Sequence, residues 1–155
     1  LSVSSRLENL KKLVERRDYH PEKNAYEHIK IVTERLFQTK DIDLIVAGCL
    51  HDLFKLDVQQ FNPKTGRMLY AGHEDAVASF IQSDTAVRDW ITRCGANSDS
   101  VMILCKDHMR FHLLDEMKKK KRMEFMSRPL WKKQRILGDA DTTTKEFVFN
   151  SDKQE

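Results

Sequence analysis

Apolar residues along most of the chain recur every three to four positions, the period of an amphipathic helix. Leu7, Leu10, Leu13 and Val14 share one face of a first helix predicted over Ser4 to Arg17. Pro21 marks a break from Asp18 to Glu22. Asn24 is placed to cap a second helix reaching about Gln38, with Ile29, Val32 and Leu36 inward. Asp41 or Asp43 starts a strongly apolar helix predicted to continue through Leu56. The longest loop signal runs from Gln59 to Gly72 and carries Asn62-Pro63, Gly66 and Gly72. Helices follow over Glu74 to Gln82 and Thr85 to Arg93, and Ser98 or Asp99 caps another that reaches about His112. A charged helix from Leu113 to Met126 is stopped by Pro129, and a last helix runs from Leu130 to about Lys145. No segment alternates with a period of two. The pattern predicts an all-α, single-domain bundle of about six to eight helices over residues 1–146. A polar tail over 147–155 follows, in which Phe147, Val148 and Phe149 are the residues able to dock.

A chain of 155 residues fits one domain, and one of this size buries about 70% of its unfolded surface without staples. Five glycines and three prolines are too few for a sandwich or barrel built on many tight turns. No apolar run approaches the ~18 residues of a membrane span, so no membrane association is expected. The first residues, Leu1 to Arg6, lack the apolar stretch of a signal peptide and an initiator Met, so the natural start is expected to have been trimmed. Cys49, Cys94 and Cys105 form no CxxC pair, and read as reduced core thiols of a cytoplasmic protein. The net charge of +3 permits a phosphorylated ligand or nucleic acid without requiring one.

The polar residues inside the apolar pattern change the picture more. His51 and Asp52 sit in the middle of the most apolar helix, where a carboxylate is costly unless paired or bound to metal. Gly48 lies one turn before them and Lys55 one turn after. His28 falls on the face of Ile31 and Val32. His108 and His112 are spaced i, i+4 at the end of the stripe Val101, Leu104, Cys105, a spacing that suits two ligands of one metal or a ligand and a phosphate contact. His73 opens a helix, and Asp139 and Asp141 flank Ala140 in the last one. A lone buried histidine is ordinarily a satisfied core residue, and His20, beside Pro21, is given that reading. His28, His51-Asp52 and a late aspartate, each on its own helix and joined by His73 and His108, point instead to a metal site. Mixed imidazole and carboxylate ligands suit Mn, Fe, Co, Ni, Zn or Mg.

The order His28, His51-Asp52, Asp141 resembles the HD-domain metal-dependent phosphohydrolases. The stretch His20-Pro-Glu-Lys-Asn-Ala-Tyr-Glu-His28 is most similar to the HD domains attached to bacterial tRNA nucleotidyltransferases. Cys49-Leu-His-Asp-Leu-Phe-Lys55 is similar to the HD signature, with Phe54 where Gly is usual. Gly72-His73, the pair His108 and His112, and Gly138-Asp-Ala-Asp141 follow in the same order. The resemblance covers roughly Asp18 to Lys145. It implies that His28, His51, Asp52 and Asp141 bind a first metal, with Asp141 preferred to Asp139. It implies a second metal at His73 and His108 with Asp52 bridging, so that Asp52, His73 and His108 take part in catalysis. Lys55 would help hold a phosphate, and His112 would support a ligand or touch a phosphate. Only about twenty residues precede the first motif, too few for a nucleotidyltransferase head, so tail-adding activity is not expected.

The expected reaction is hydrolysis of a phosphomonoester or a cyclic or linear phosphodiester, in a nucleotide or at a nucleic-acid end, by a metal-bound hydroxide with one or two divalent ions per chain. Two other readings stand beside it: a non-catalytic HD module whose metal is structural or lost and whose basic helix binds RNA or a protein partner, and an HD-type di-iron oxygenase. Lys118 to Arg122 are five consecutive cations that point all round a helix. They read either as a solvated face or as a weak contact to a nucleic-acid backbone.

Overall fold

Side-chain caps decide where several helices begin. Asn24 accepts from Glu27 N at 2.9 Å and starts α2 (Ala25–Phe37). Asp41 accepts from Leu44 N at 3.2 Å and starts α3 (Ile42–Leu50). These two belong to a computed structural model that describes residues 2–150. Before them come α1 (Val3–Asn9) and a 3-10 turn over Leu10–Lys12. After them come a single-turn α4 (Lys55–Val58), the strands β1 (Gln60–Asn62) and β2 (Arg67–Leu69), α5 (His73–Ser83) and α6 (Thr85–Arg93). The chain ends with α7 (Ser98–His112), a 3-10 turn over Leu114–Glu116, α8 (Lys119–Met126) and α9 (Trp131–Asp141). Among the described residues, eight helices of seven to fifteen residues and the single turn make an all-α bundle. No helix among them is long and apolar enough to cross a membrane.

α7 is the hub and packs against α3, α5 and α9, while α2 packs against α3. The buried leucines, isoleucines and valines of these helices form one core, including Leu36, Leu44, Leu50, Val77, Ile81, Val101, Leu104 and Leu137. Gly48 leaves room for α2 to pack against α3, since a Cβ there would meet Leu36 Cδ1 at 2.6 Å. What the glycine admits is a neighbouring helix.

The elements differ from the sequence reading in several places, and the last helix ends at Asp141 rather than near Lys145. The first helix stops well short of Arg17, because Leu13 turns extended and its carbonyl accepts from Ala25 N at 2.8 Å. The third helix ends at Leu50, and bonds from Leu53 N to Leu50 O (3.0 Å) and Lys55 N to Asp52 O (3.3 Å) tighten the next turn. The loop from Gln59 holds an antiparallel hairpin with Phe61 opposite Met68 and the left-handed Gly66 in its turn. The charged helix is split, because Met117 and Lys118 are extended between the 3-10 turn and α8. The cap of α7 is Asn97. Of the tail, Phe147 and Phe149 pack on the core and Val148 is exposed, while 151–155 lie outside the described residues. Cys105 is buried as expected, but Cys94 is exposed at the end of α6.

Candidate metal centre

Four buried histidines aim the same ring atom at two carboxylates. His28 Nε2 and His51 Nε2 lie 2.7 and 2.9 Å from Asp141 Oδ1, and 3.6 and 3.3 Å from Asp52 Oδ2. On the other side of Asp52, His73 Nε2 and His108 Nε2 lie 3.2 and 3.4 Å from Oδ1. The ligand atoms of His28, His51, Asp52 and Asp141 fall within 4.8 Å of one another, and so do those of Asp52, His73 and His108. These are two groups able to hold a metal ion, sharing Asp52.

The opposite ring nitrogens explain the aim. Nδ1 of His51 is 2.7 Å from Gly48 O, that of His73 is 2.8 Å from Tyr70 O, and that of His108 is 2.6 Å from Cys105 O. Nδ1 of His28 is 3.0 Å from Glu22 Oε1. Each acceptor fixes a proton on Nδ1, so that the neutral ring turns its Nε2 lone pair inward, which is the outer-shell arrangement that orients metal-binding histidines. The tightened turn after Leu50 matters here. Neighbours in a regular helix point about 100° apart, whereas His51 Nε2 and Asp52 Oδ2 converge to 3.3 Å.

Charges in the cluster support one another. Burial opposes the ionised form of Asp52, but His51 and Lys55 hold it well below the usual carboxylate range. Burial opposes ionised Asp141 too, and His51, His112 and His28 hold it low. Burial opposes the proton on His28, yet bonds to Asp141 and Glu22 raise it to about 9. Glu22 is also buried, and its bond to His28 brings it down to about 2. His73 and His108 shift in opposite directions. Burial disfavours charge on both, but the bond to Asp52 raises His73, while His108, crowded by His51, is lowered.

Of the two aspartates flanking Ala140, Asp141 enters the cluster and Asp139 is exposed on the far side of α9. His112 binds Asp141 Oδ2 at 2.6 Å from the edge of the cleft. Lys55 is buried and engaged: Glu15 Oε1 is 2.6 Å from Nζ and Asp52 Oδ2 is 3.6 Å away. Phe54, at the position of the usual glycine, is buried and packs on Phe80 rather than lining the cleft. Lys118 to Lys121 are exposed, and none of the five cations through Arg122 lines the cleft.

Sequence reasoning missed Glu15, Glu22, Arg35 and the role of His20. Glu15 falls within the predicted first helix, which stops before it, and Glu22 lies in a break with no periodicity to orient it. His20 is no core histidine: it stacks edge-on against His28 at 4.8 Å and lines the cleft. Arg35 of α2 donates to the carbonyls of Ala140 (3.2 Å), Thr142 (3.3 Å) and Lys145 (2.9 Å) and so pins the segment that carries Asp141.

The cluster floors an open cleft of about 620 Å³ lined by His20, Lys55, Tyr70 and His112 among others. Comparison with known protein families, with curated proteins and with solved structures found no match for this chain.

Proposed function

We propose that the chain is an HD-type metal-dependent phosphohydrolase that cleaves a phosphomonoester or a cyclic phosphodiester. One observation carries this reading furthest. His73 Nε2 and His108 Nε2 are 3.1 Å apart while both Nδ1 atoms face backbone carbonyls, so with both rings neutral two lone pairs meet beside Asp52. Such an arrangement is repulsive until a cation lies between them. The neighbouring group of His28, His51, Asp52 and Asp141 offers a second, equally preset position. Imidazole nitrogens and carboxylate oxygens on shared positions suit Mn, Fe, Co, Ni or Zn, and less well Mg, which favours oxygen.

Bound divalent ions would supply Lewis acidity toward phosphoryl oxygens and lower the pKa of a water. The chain's own part is positioning and charge. Asp52 and Asp141, kept ionised by their neighbours, set the charge of the floor. Lys55, held charged between Glu15 and Asp52, offsets negative charge along one wall. His112, half exposed at the edge of the cleft, steadies Asp141 through Nε2 and would meet a bound phosphate from that edge. Donors fixed in advance at such positions favour the transition state of phosphoryl transfer.

The test is phosphate release from a panel of monoesters and cyclic diesters with Mn²⁺ and with EDTA, alongside metal analysis. Metal-dependent release that Asp52→Ala abolishes is expected. Full activity in EDTA or in that variant would sink the reading. An optical spectrum of mixed-valent iron in anaerobically prepared protein would favour an oxygenase instead. A second reading, a module that binds nucleic acid, is favoured by Lys118 to Arg122, which form no ion pair among the described residues.

A further inference from the structure

The floor of the cleft is polar, but its mouth is not. Tyr19 is 64% exposed, and Met68 and Leu69 of the hairpin are 49% and 46% exposed, yet all three line the same cleft as Asp52 and Asp141. Exposed apolar side chains grouped at a polar site mark a ligand surface more often than chance. Tyr19 is prepared as a platform: Arg16 lies 5.0 Å from its ring centroid, and Asp18 holds that guanidinium in place with bonds of 3.1 and 2.5 Å.

The cations tell what the mouth is not. Arg16 is paired with Asp18 and Lys55 with Glu15, and the basic run lies elsewhere. Grooves that follow a nucleic-acid backbone combine stacking with a row of free cations. This cleft has the stacking surface without the row.

Resting on the phosphohydrolase reading, we infer that Tyr19, Met68 and Leu69 form a specificity wall that receives a flat aromatic group carried by a single-unit phosphoester, such as one nucleobase. The substrate is a small monomer, held by its phosphate at the floor and by its ring at the mouth. The hairpin is therefore a recognition element, and its length and apolar edge decide which group is accepted.

The test measures binding as well as turnover. Calorimetry with and without Mn²⁺ compares adenosine 5′-monophosphate, ribose 5-phosphate and a 5′-phosphorylated oligonucleotide. The base-bearing monomer should bind about tenfold more tightly than the sugar phosphate, and the oligonucleotide no more tightly than the monomer. Tyr19→Ala combined with Leu69→Gln should remove that preference and leave the sugar phosphate unchanged. Both side chains are exposed, so the melting temperature should hold. Equal affinity for monomer and sugar phosphate, no binding of either, or an equal loss on both in the variant would overturn the wall. Tighter binding of the oligonucleotide would return the cleft to polymer ends. Base-dependent binding without phosphate release would leave the wall standing and remove the proposed reaction.

Discussion

Gly138 of α9 lies against the ring of Phe111 on α7, so closely that a methyl group on Gly138 would overlap the ring. Asp141 follows Gly138 by one helical turn, and His112 is the next residue after Phe111. The contact therefore sets the approach of the two helices that brings His112 Nε2 to 2.6 Å from Asp141 Oδ2. Gly138→Ala forces the ring or the helix to move and should cost about 1–3 kcal/mol. It should also weaken metal binding, because Asp141 moves with the helix. Thermal unfolding and calorimetric metal titration check both effects. Phe111→Leu in the same chain should restore part of each. If metal affinity is untouched, the glycine serves packing alone.

The shared position of Asp52 predicts unequal losses of metal. His73→Ala and His108→Ala each remove a ligand from one group only, since neither belongs with His28, His51 and Asp141. Each should lower the metal content at saturation by one equivalent and spare the other. Asp52→Asn should weaken both positions. Metal stoichiometry by elemental analysis decides this, and a wild type that binds a single equivalent would make His73 and His108 substrate contacts.

Stability of the metal-free protein should depend on pH in a defined direction. His28 is raised to about 9 by its two carboxylate partners, against the opposing effect of burial. A raised histidine contributes stability that is complete below its unfolded value near 6.5 and is lost as pH rises through the folded one. Asp52 and Asp141 are depressed, so their contribution is present above about 4 and fades in acid. EDTA-treated protein should therefore melt at a lower temperature at pH 9 than near pH 6. Metal affinity should run the other way, because Nε2 must lose its proton to bind. A melting temperature of the metal-free protein that is flat between those values would mean that His28 is neutral throughout.

The histidines and aspartates of the cluster were legible because they interrupt apolar faces at positions where helical periodicity says which way a side chain points. His28 on the face of Val32, and His108 below Leu104 and Cys105, are such cases. Residues outside regular helix were not legible. Glu15, Glu22 and His20 sit between the first 3-10 turn and α2, where no period exists, and only the fold brings them to the cluster. The convergence of His51 and Asp52 was also hidden. A continuous helix was expected there, and the tightened turn arises from local bonds such as Leu53 N to Leu50 O. The hairpin escaped because three-residue strands are too short to show alternation.

The run at the start of α8 breaks a local rule. Lys118 caps the helix without a side-chain bond, and its first turn holds lysines and no acid. Cations there oppose the positive end of the helix dipole and should cost about 0.3–1 kcal/mol each. Lys119→Glu with Lys120→Glu should therefore raise the melting temperature. If the run has no task, nothing else changes. If it holds a nucleic-acid backbone, the same substitutions cost binding: oligonucleotide affinity should drop, and its log–log dependence on salt should lose about 0.7 for each single-strand phosphate contact removed. None of the five residues lines the cleft, so hydrolysis of a mononucleotide should keep its kcat/KM in the variant. A gain in stability with a loss of salt-dependent binding and unchanged turnover assigns the run to nucleic acid. A gain in stability alone returns it to a solvated helix, and a fall in mononucleotide turnover would show that α8 reaches the site.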